Sequence, residues 1–186
     1  FSGTLAYLFN VFDGDKPFSA IVREARDAGY TEPDPRDDLS GLDVARKLII
    51  LGREMGMRLE LGDVAVESLV PAGLEAGSVD DFLAALPRFD AAMRDRLLAA
   101  RAAGQVLRYV GRLDRRAATA TVRLEALPAS HPFANINLTD NIVRYVSARY
   151  SRNPLVVQGP GAGRDVTAAG VFADLLRLGS YLGATL

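Results

Sequence analysis

Gly29-Tyr30-Thr31-Glu32-Pro33-Asp34-Pro35-Arg36-Asp37-Asp38-Leu39-Ser40-Gly41-Leu42-Asp43-Val44-Ala45-Arg46-Lys47 gathers five carboxylates, two prolines and a helix start into one short span. Pro33 and Pro35 each fix their own φ and disfavour helical geometry in the residue ahead, so the segment before Ser40 is expected to be extended. Ser40 then reads as the N-cap of a helix reaching about Met57, with Leu42, Ala45, Leu48, Ile49, Leu51 and Gly52 as a wide buried face. A rigid, acid-rich loop therefore feeds straight into a core helix.

Working outward, Leu5, Leu8, Phe9 and Phe12 follow helical spacing up to Asp13-Gly14-Asp15, and a second helix is expected from Pro17 to Ala28. Downstream, Val64 to Val70 reads as a strand. Ser78-Val79-Asp80-Asp81 then reads as a helix cap, Pro87 as the start of a second helix and Gly104 as its end, a pair resembling a helical insertion. From Gln105 the period changes to two. Gln105 to Leu113 and Thr119 to Leu127 form a hairpin, with Ala120, Val122, Leu124 and Ala126 on one face and Thr119, Thr121, Arg123 and Glu125 on the other. Val106 and Val110 alternate with Leu107, Tyr109 and Leu113, leaving neither side of that strand polar. Further strands are expected at Ile142 to Ala148 and Leu155 to Gln158, before a helix from about Val166 to Leu182. This pattern predicts an α+β fold: a largely antiparallel or mixed sheet with helices packed on one face.

Composition narrows the function classes. In 186 residues, 49% are apolar and 22 basic residues mix with 23 acidic ones to a net charge of -1, without a basic run that would mark a nucleic-acid or membrane-surface partner. The absence of cysteine removes disulfides, thiolate nucleophiles and thiolate metal sites, and the single His131 makes no metal cluster alone. No apolar run approaches the ~18 residues that a membrane-crossing helix needs, and no basic region with a cleavage site opens the chain. Small-molecule chemistry in the cytoplasm is the expectation.

Three places could carry that chemistry. Asp43 and Lys47 lie four apart on one helix face, which fits an ordinary ion pair worth about 0.3–0.5 kcal/mol, and Ser40-x-x-Asp43 fits a capping box. Glu32 and Asp38 lie in the proline-stiffened loop, where a solvated acidic surface is the plain alternative. Gly159-Pro160-Gly161-Ala162-Gly163 follows a short apolar strand and opens a helix, so it either lets an anionic group such as a phosphate approach or merely permits a tight connection. His131-Pro132-Phe133 reads as a structural turn, and the Asn137-Leu138-Thr139 sequon as incidental.

Ser2-Gly3-Thr4-Leu5, the span 29–47 and Gly159-Pro160-Gly161-Ala162-Gly163-Arg164-Asp165-Val166-Thr167-Ala168-Ala169-Gly170 together resemble the C-terminal catalytic and dimerisation part of homoserine dehydrogenase, over nearly the whole chain. The resemblance implies NAD(P)H-dependent, reversible reduction of L-aspartate 4-semialdehyde to L-homoserine. It places Lys47 as proton donor with Asp43 positioning it, and Glu32, Tyr30, Asp38, Thr4 and Gly3 on the substrate. Gly163 and Gly161 fall on the cofactor side, to which residues 159–183 return. It also implies a homodimer formed through the sheet region. The opening at Phe1 rather than methionine, with no strand and Gly-x-Gly-x-x-Gly ahead of the motif, implies a part of a longer enzyme whose Rossmann cofactor domain precedes residues 1–186, and hence a chain inactive alone. The ending from Val171 to Leu186 resembles enzymes in which an aspartate kinase precedes the dehydrogenase. The alternative from another class is a non-catalytic amino-acid-binding or dimerisation module on the same scaffold.

Overall fold

The computed structural model describes residues 1–183; Leu186, the end of the stretch compared with bifunctional enzymes, lies outside them. Four helices come first: α1 (Gly3–Val11), α2 (Phe18–Asp27), α3 (Pro35–Leu39) and α4 (Leu42–Glu54). Ser2 Oγ caps α1 by accepting from the Leu5 N–H at 3.1 Å, so one of the first-turn donors is satisfied without water. α1 and α2 bury Leu5, Leu8 and Phe9 against Phe18, Ile21, Val22 and Ala25, with the Phe9 and Phe18 rings stacked at 5.8 Å.

The acid loop departs from expectation. Residues 35–39 are helical, because Pro35 occupies the first position of α3, where its missing N–H costs nothing, and the Asp34 carboxylate caps that turn. Ser40 closes α3 instead of opening α4. Its hydroxyl donates to Asp37 O, and Gly41, at φ 73°, turns the chain so that α4 begins at Leu42. An added Cβ on Gly41 would strike the Tyr109 hydroxyl, so this position requires glycine twice over. The Ser40–Asp43 capping box does not form: Asp43 pairs forward with Lys47.

α4 buries Val44, Ala45, Leu48, Ile49 and Gly52, whereas Leu42 and Ile50 face outward. Its partner is a three-stranded mixed sheet, ordered β1-β3-β2, of β1 (Val64–Val66), β2 (Gln105–Asp114) and β3 (Thr119–Pro128). β2 and β3 form the expected hairpin, Gln105 opposite Pro128 through Asp114 opposite Thr119, while the short β1 pairs parallel with β3. Gly111 on β2 lets Leu48 and Val44 of α4 sit directly on the strand. Between β1 and β2 lie α5 (Val79–Ala85), capped by Ser78 as expected, and α6 (Asp90–Ala102). Pro87 falls in the 3₁₀ turn joining them rather than at the start of α6.

Ala120, Val122 and Leu124 are buried as the alternation predicts, but Ala126 is exposed and Leu127 buried, because the turn at Pro132–Asn135 covers the opposite face of the hairpin at that end. The same turn receives the buried Arg108, whose guanidinium donates to the carbonyls of Phe133, Ala134, Phe9 and Leu107 at 2.7–2.8 Å. No large apolar side chain of β2 is thus left exposed, although Arg112 stays half exposed. His131 is structural here, its Nδ1 accepting from the Phe133 N–H, and burial pushes its pKa down.

A second sheet is separate: the hairpin of β4 (Asn141–Tyr145) and β5 (Leu155–Gly159), followed by α7 (Arg164–Tyr181). None of the helices among the described residues is long and apolar enough to cross a membrane.

Candidate active site

Lys47 stands one turn into α4, one helical repeat beyond Asp43. Its ammonium forms an ion pair with Asp43 Oδ2 at 2.6 Å and donates to the Phe1 carbonyl at 2.9 Å, while the side chain stays 45% exposed. A lysine on a four-carbon stem ordinarily sweeps a large volume; two acceptors converging from different segments restrict it. The helix ion pair foreseen from spacing therefore exists, and the N-terminal segment supplies a second acceptor that spacing does not reveal.

That segment also reaches the acid loop. Thr4 Oγ1 donates to the Tyr30 carbonyl at 2.6 Å, and the Tyr30 ring lies 4.7 Å from that of Tyr7 on α1. Two residues on, the Glu32 N–H donates to Asp38 Oδ2 at 2.8 Å, so α3 holds the backbone of Glu32 from behind. The Glu32 carboxylate is left without a hydrogen bond or ion pair among the described residues and faces outward. Thr4, Tyr30, Glu32 and Asp38 are thus one connected group. Asp43 and Lys47 join it through residues 1–4. Thr4 and Asp38 spend their side chains on the loop's backbone, a role that sequence reading did not separate from substrate contact.

Gly3 lies against the strap 136–139: a Cβ there would come 3.3 Å from Thr139 O, and Asn10 Nδ2 donates to Ile136 O and Leu138 O. In the glycine loop the two candidates differ. An added Cβ on Gly161 would collide with the Asn141 side-chain amide, so packing alone already requires glycine there. Gly163, at φ 124° as the N-cap of α7, has nothing within 4 Å of its Cβ position. Asn141 Oδ1, next to Gly161, is the single buried side-chain polar atom without a hydrogen-bond partner among the described residues.

A cavity of about 750 Å³ adjoins this group at Phe1 and Ser2. It runs along β2 between α4 and β4, lined by residues such as Leu48, Arg112, His131 and Tyr145, and touches none of Thr4, Tyr30, Glu32, Asp38, Asp43 or Lys47. The lysine–carboxylate site is a surface of this chain rather than an enclosed pocket.

Fold and site together define an α+β domain that presents a restrained lysine and an acidic loop at the heads of two helices. Residues 1–176 match the family model for homoserine dehydrogenase, and the chain belongs to that family. Among its relatives, the Zea mays protein named bifunctional aspartokinase/homoserine dehydrogenase 2, chloroplastic, is 56% identical over 185 residues, which cover 99% of this chain and 20% of that protein. The homoserine dehydrogenase of Schizosaccharomyces pombe is 46% identical over 192 residues, covering 100% of this chain and 51% of that one. A crystal structure of a Candida auris protein described as of unknown function superposes with a TM-score of 0.91 at 43% identity, covering 96% of this chain and 51% of its own. Staphylococcus aureus homoserine dehydrogenase, at 22% identity and a TM-score of 0.74, shares the fold. The chain spans between a fifth and about half of the length of these curated relatives.

Proposed function

We propose that this chain is the substrate-binding and dimerisation part of a homoserine dehydrogenase whose full-length form catalyses reversible, NAD(P)H-dependent reduction of L-aspartate 4-semialdehyde to L-homoserine, in threonine, methionine and isoleucine biosynthesis. The observation that supports it best is Lys47: an ammonium held by two acceptors yet half exposed, linked through residues 1–4 to a loop whose Glu32 carboxylate has no partner among the described residues. A nicotinamide cofactor, when bound, supplies the hydride. Lys47 Nζ stabilises the developing alkoxide and delivers its proton; in the reverse direction the amine takes the proton from the homoserine hydroxyl. Asp43 keeps Nζ in place. Glu32 receives the substrate's α-ammonium, with Tyr30, Asp38, Gly3 and Thr4 shaping that end, and Gly163 with Gly161 faces the cofactor through the 159–183 loop and helix.

The site's open form suits a reaction surface closed by a separate Rossmann domain, since no strand among the described residues is followed by Gly-x-Gly-x-x-Gly. Similarity to bifunctional proteins supports a parent that carries an aspartate kinase. The cysteine-free composition supports the cytoplasm as the compartment, whereas the maize relative's name places that protein in the chloroplast. A second reading, a non-catalytic amino-acid-binding or dimerisation module, draws on the fact that an i,i+4 pair half open to water is also what a plain helix ion pair presents.

The purified 186-residue chain is expected to show a dimer mass by light scattering and negligible NADPH oxidation with aspartate semialdehyde, while the full-length parent turns over. Parent-level turnover by the chain alone would defeat the division of labour, and a clean monomer mass would defeat the dimer.

A further inference from the structure

Arg36 lies inside the acid loop, yet its side chain is only 13% exposed and points away from Lys47's neighbours into the helical insert. Its guanidinium grips Asp34 with a fork: Nε donates to both carboxylate oxygens at 3.0 Å and a terminal nitrogen to Oδ2 at 2.6 Å. The remaining donors reach the carbonyls of Gly77 at 2.9 Å and Leu74 at 3.4 Å, and the plane sits 5.5 Å over the ring of the fully buried Phe82 on α5. Close by, the Leu69 N–H donates to Leu39 O at 2.8 Å. One cation therefore fastens the start of α3 to residues 74–82, a segment that neither the sequence reading nor the candidate site gives a role.

The consequence runs through α3. Asp34 caps it, Arg36 fixes Asp34, and one turn later Asp38 holds the Glu32 N–H. We infer that Arg36 is a positioning residue for Glu32, and that the helical insert acts as the buttress that sets the amino-acid end of the substrate site through the Arg36–Asp34 fork. The inference rests on the homoserine dehydrogenase reading and extends it to residues that touch no substrate. A lysine at this position keeps the charge but cannot make the planar two-point grip on Asp34 while also reaching two carbonyls. Rotation or loosening of α3 moves Glu32, which binds the substrate's ammonium, and leaves Lys47 on α4 in place. Loss of placement at the binding end, with the proton donor intact, raises KM for the amino acid more than it lowers kcat.

The test uses the full-length parent with Arg36→Lys and, separately, Asp34→Asn, which retains a competent N-cap oxygen for α3 while weakening the fork. Each is expected to raise KM for homoserine about 10-fold with kcat within about 3-fold and KM for the nicotinamide cofactor unchanged, and the double variant to be little worse than either single one. Circular dichroism and thermal midpoints accompany the kinetics. KM values for homoserine within two-fold of wild type, or homoserine and cofactor KM values rising together in step with a fall in midpoint, would overturn the inference. A wild-type parent without homoserine turnover would instead overturn the function reading, and this inference with it.

Discussion

Two regions of the chain treat apolar surface in opposite ways. Residues 1–135 close their own core: Leu8, Ile21, Val22, Leu39, Leu48, Phe82 and Val122 are all but inaccessible, and β2 leaves no large apolar side chain exposed. From β4 onward the pattern reverses. Val156 and Val157 on β5 and Val171, Phe172, Leu175 and Leu178 on α7 are exposed, and α7 has no buried residue at all. An amphipathic or apolar helix in water gains little from its own hydrogen bonds and is stabilised chiefly by packing. The contrast relocates the argument for a partner: the apolar faces left over belong to the second sheet and α7, and β2 is not among them.

The sharpest way to break this comparison is a matched pair of phenylalanines. Phe82→Ala is expected to cost about 3–5 kcal/mol in urea unfolding of the chain, as for a fully buried aromatic ring, and Phe172→Ala to stay within about 0.5 kcal/mol, as at an exposed position. Equal losses would show that α7 packs on the chain in solution. A matched pair of glycines comes next. Gly41→Ala should destabilise by about 1–3 kcal/mol from the left-handed backbone alone, before the collision with Tyr109, whereas Gly170→Ala, in open space within α7, should stabilise by about 0.5–1 kcal/mol. The same substitution would change sign between the two regions, and calorimetry of the two variants reads it.

The same pair of regions shows what a sequence reading can reach. Strand alternation and the cap at Ser78 reveal themselves because each depends on neighbours along the chain, and so does the Asp43–Lys47 pairing. The reading failed where a distant contact decides. Two prolines suggested extended chain, but Pro35 with Asp34 starts a helix, and Asp34 is held there by an arginine bound to residues 74–77. Ser40 looked like a cap, but Gly41 makes the turn, because Tyr109 from a strand sixty-eight residues away occupies the space of a side chain. Lys47's second acceptor, the Phe1 carbonyl, leaves no trace in local spacing. The Asp34–Arg36 pair is a missed feature with a local signature, an acid two residues before an arginine.

Acid should loosen the first region by a defined route. The hydrogen bond from Arg36 holds the Asp34 carboxyl below the usual carboxylate range, and Arg112, with Arg123, does the same for Glu125 across the β2–β3 hairpin. Depressed folded values mean that this stabilisation is complete above the unfolded carboxylate range, about pH 4, and is lost as pH falls through the lower folded values. The urea midpoint is expected to be flat from pH 7 to about 5 and to drop below about 4, and the drop should shrink in Asp34→Asn.

The smallest effect on stability falls at the residue with the largest expected effect on chemistry. Lys47→Ala removes an exposed ion pair worth about 0.3–0.5 kcal/mol, so the folded chain should barely notice it. In the full-length parent the same variant should lose about 100-fold or more in kcat for homoserine oxidation, the scale of a removed proton donor. A kcat within a few-fold of wild type in a stably folded Lys47→Ala enzyme would reduce the Asp43–Lys47 pair to helix surface and contradict the placement of the reaction at the head of α4.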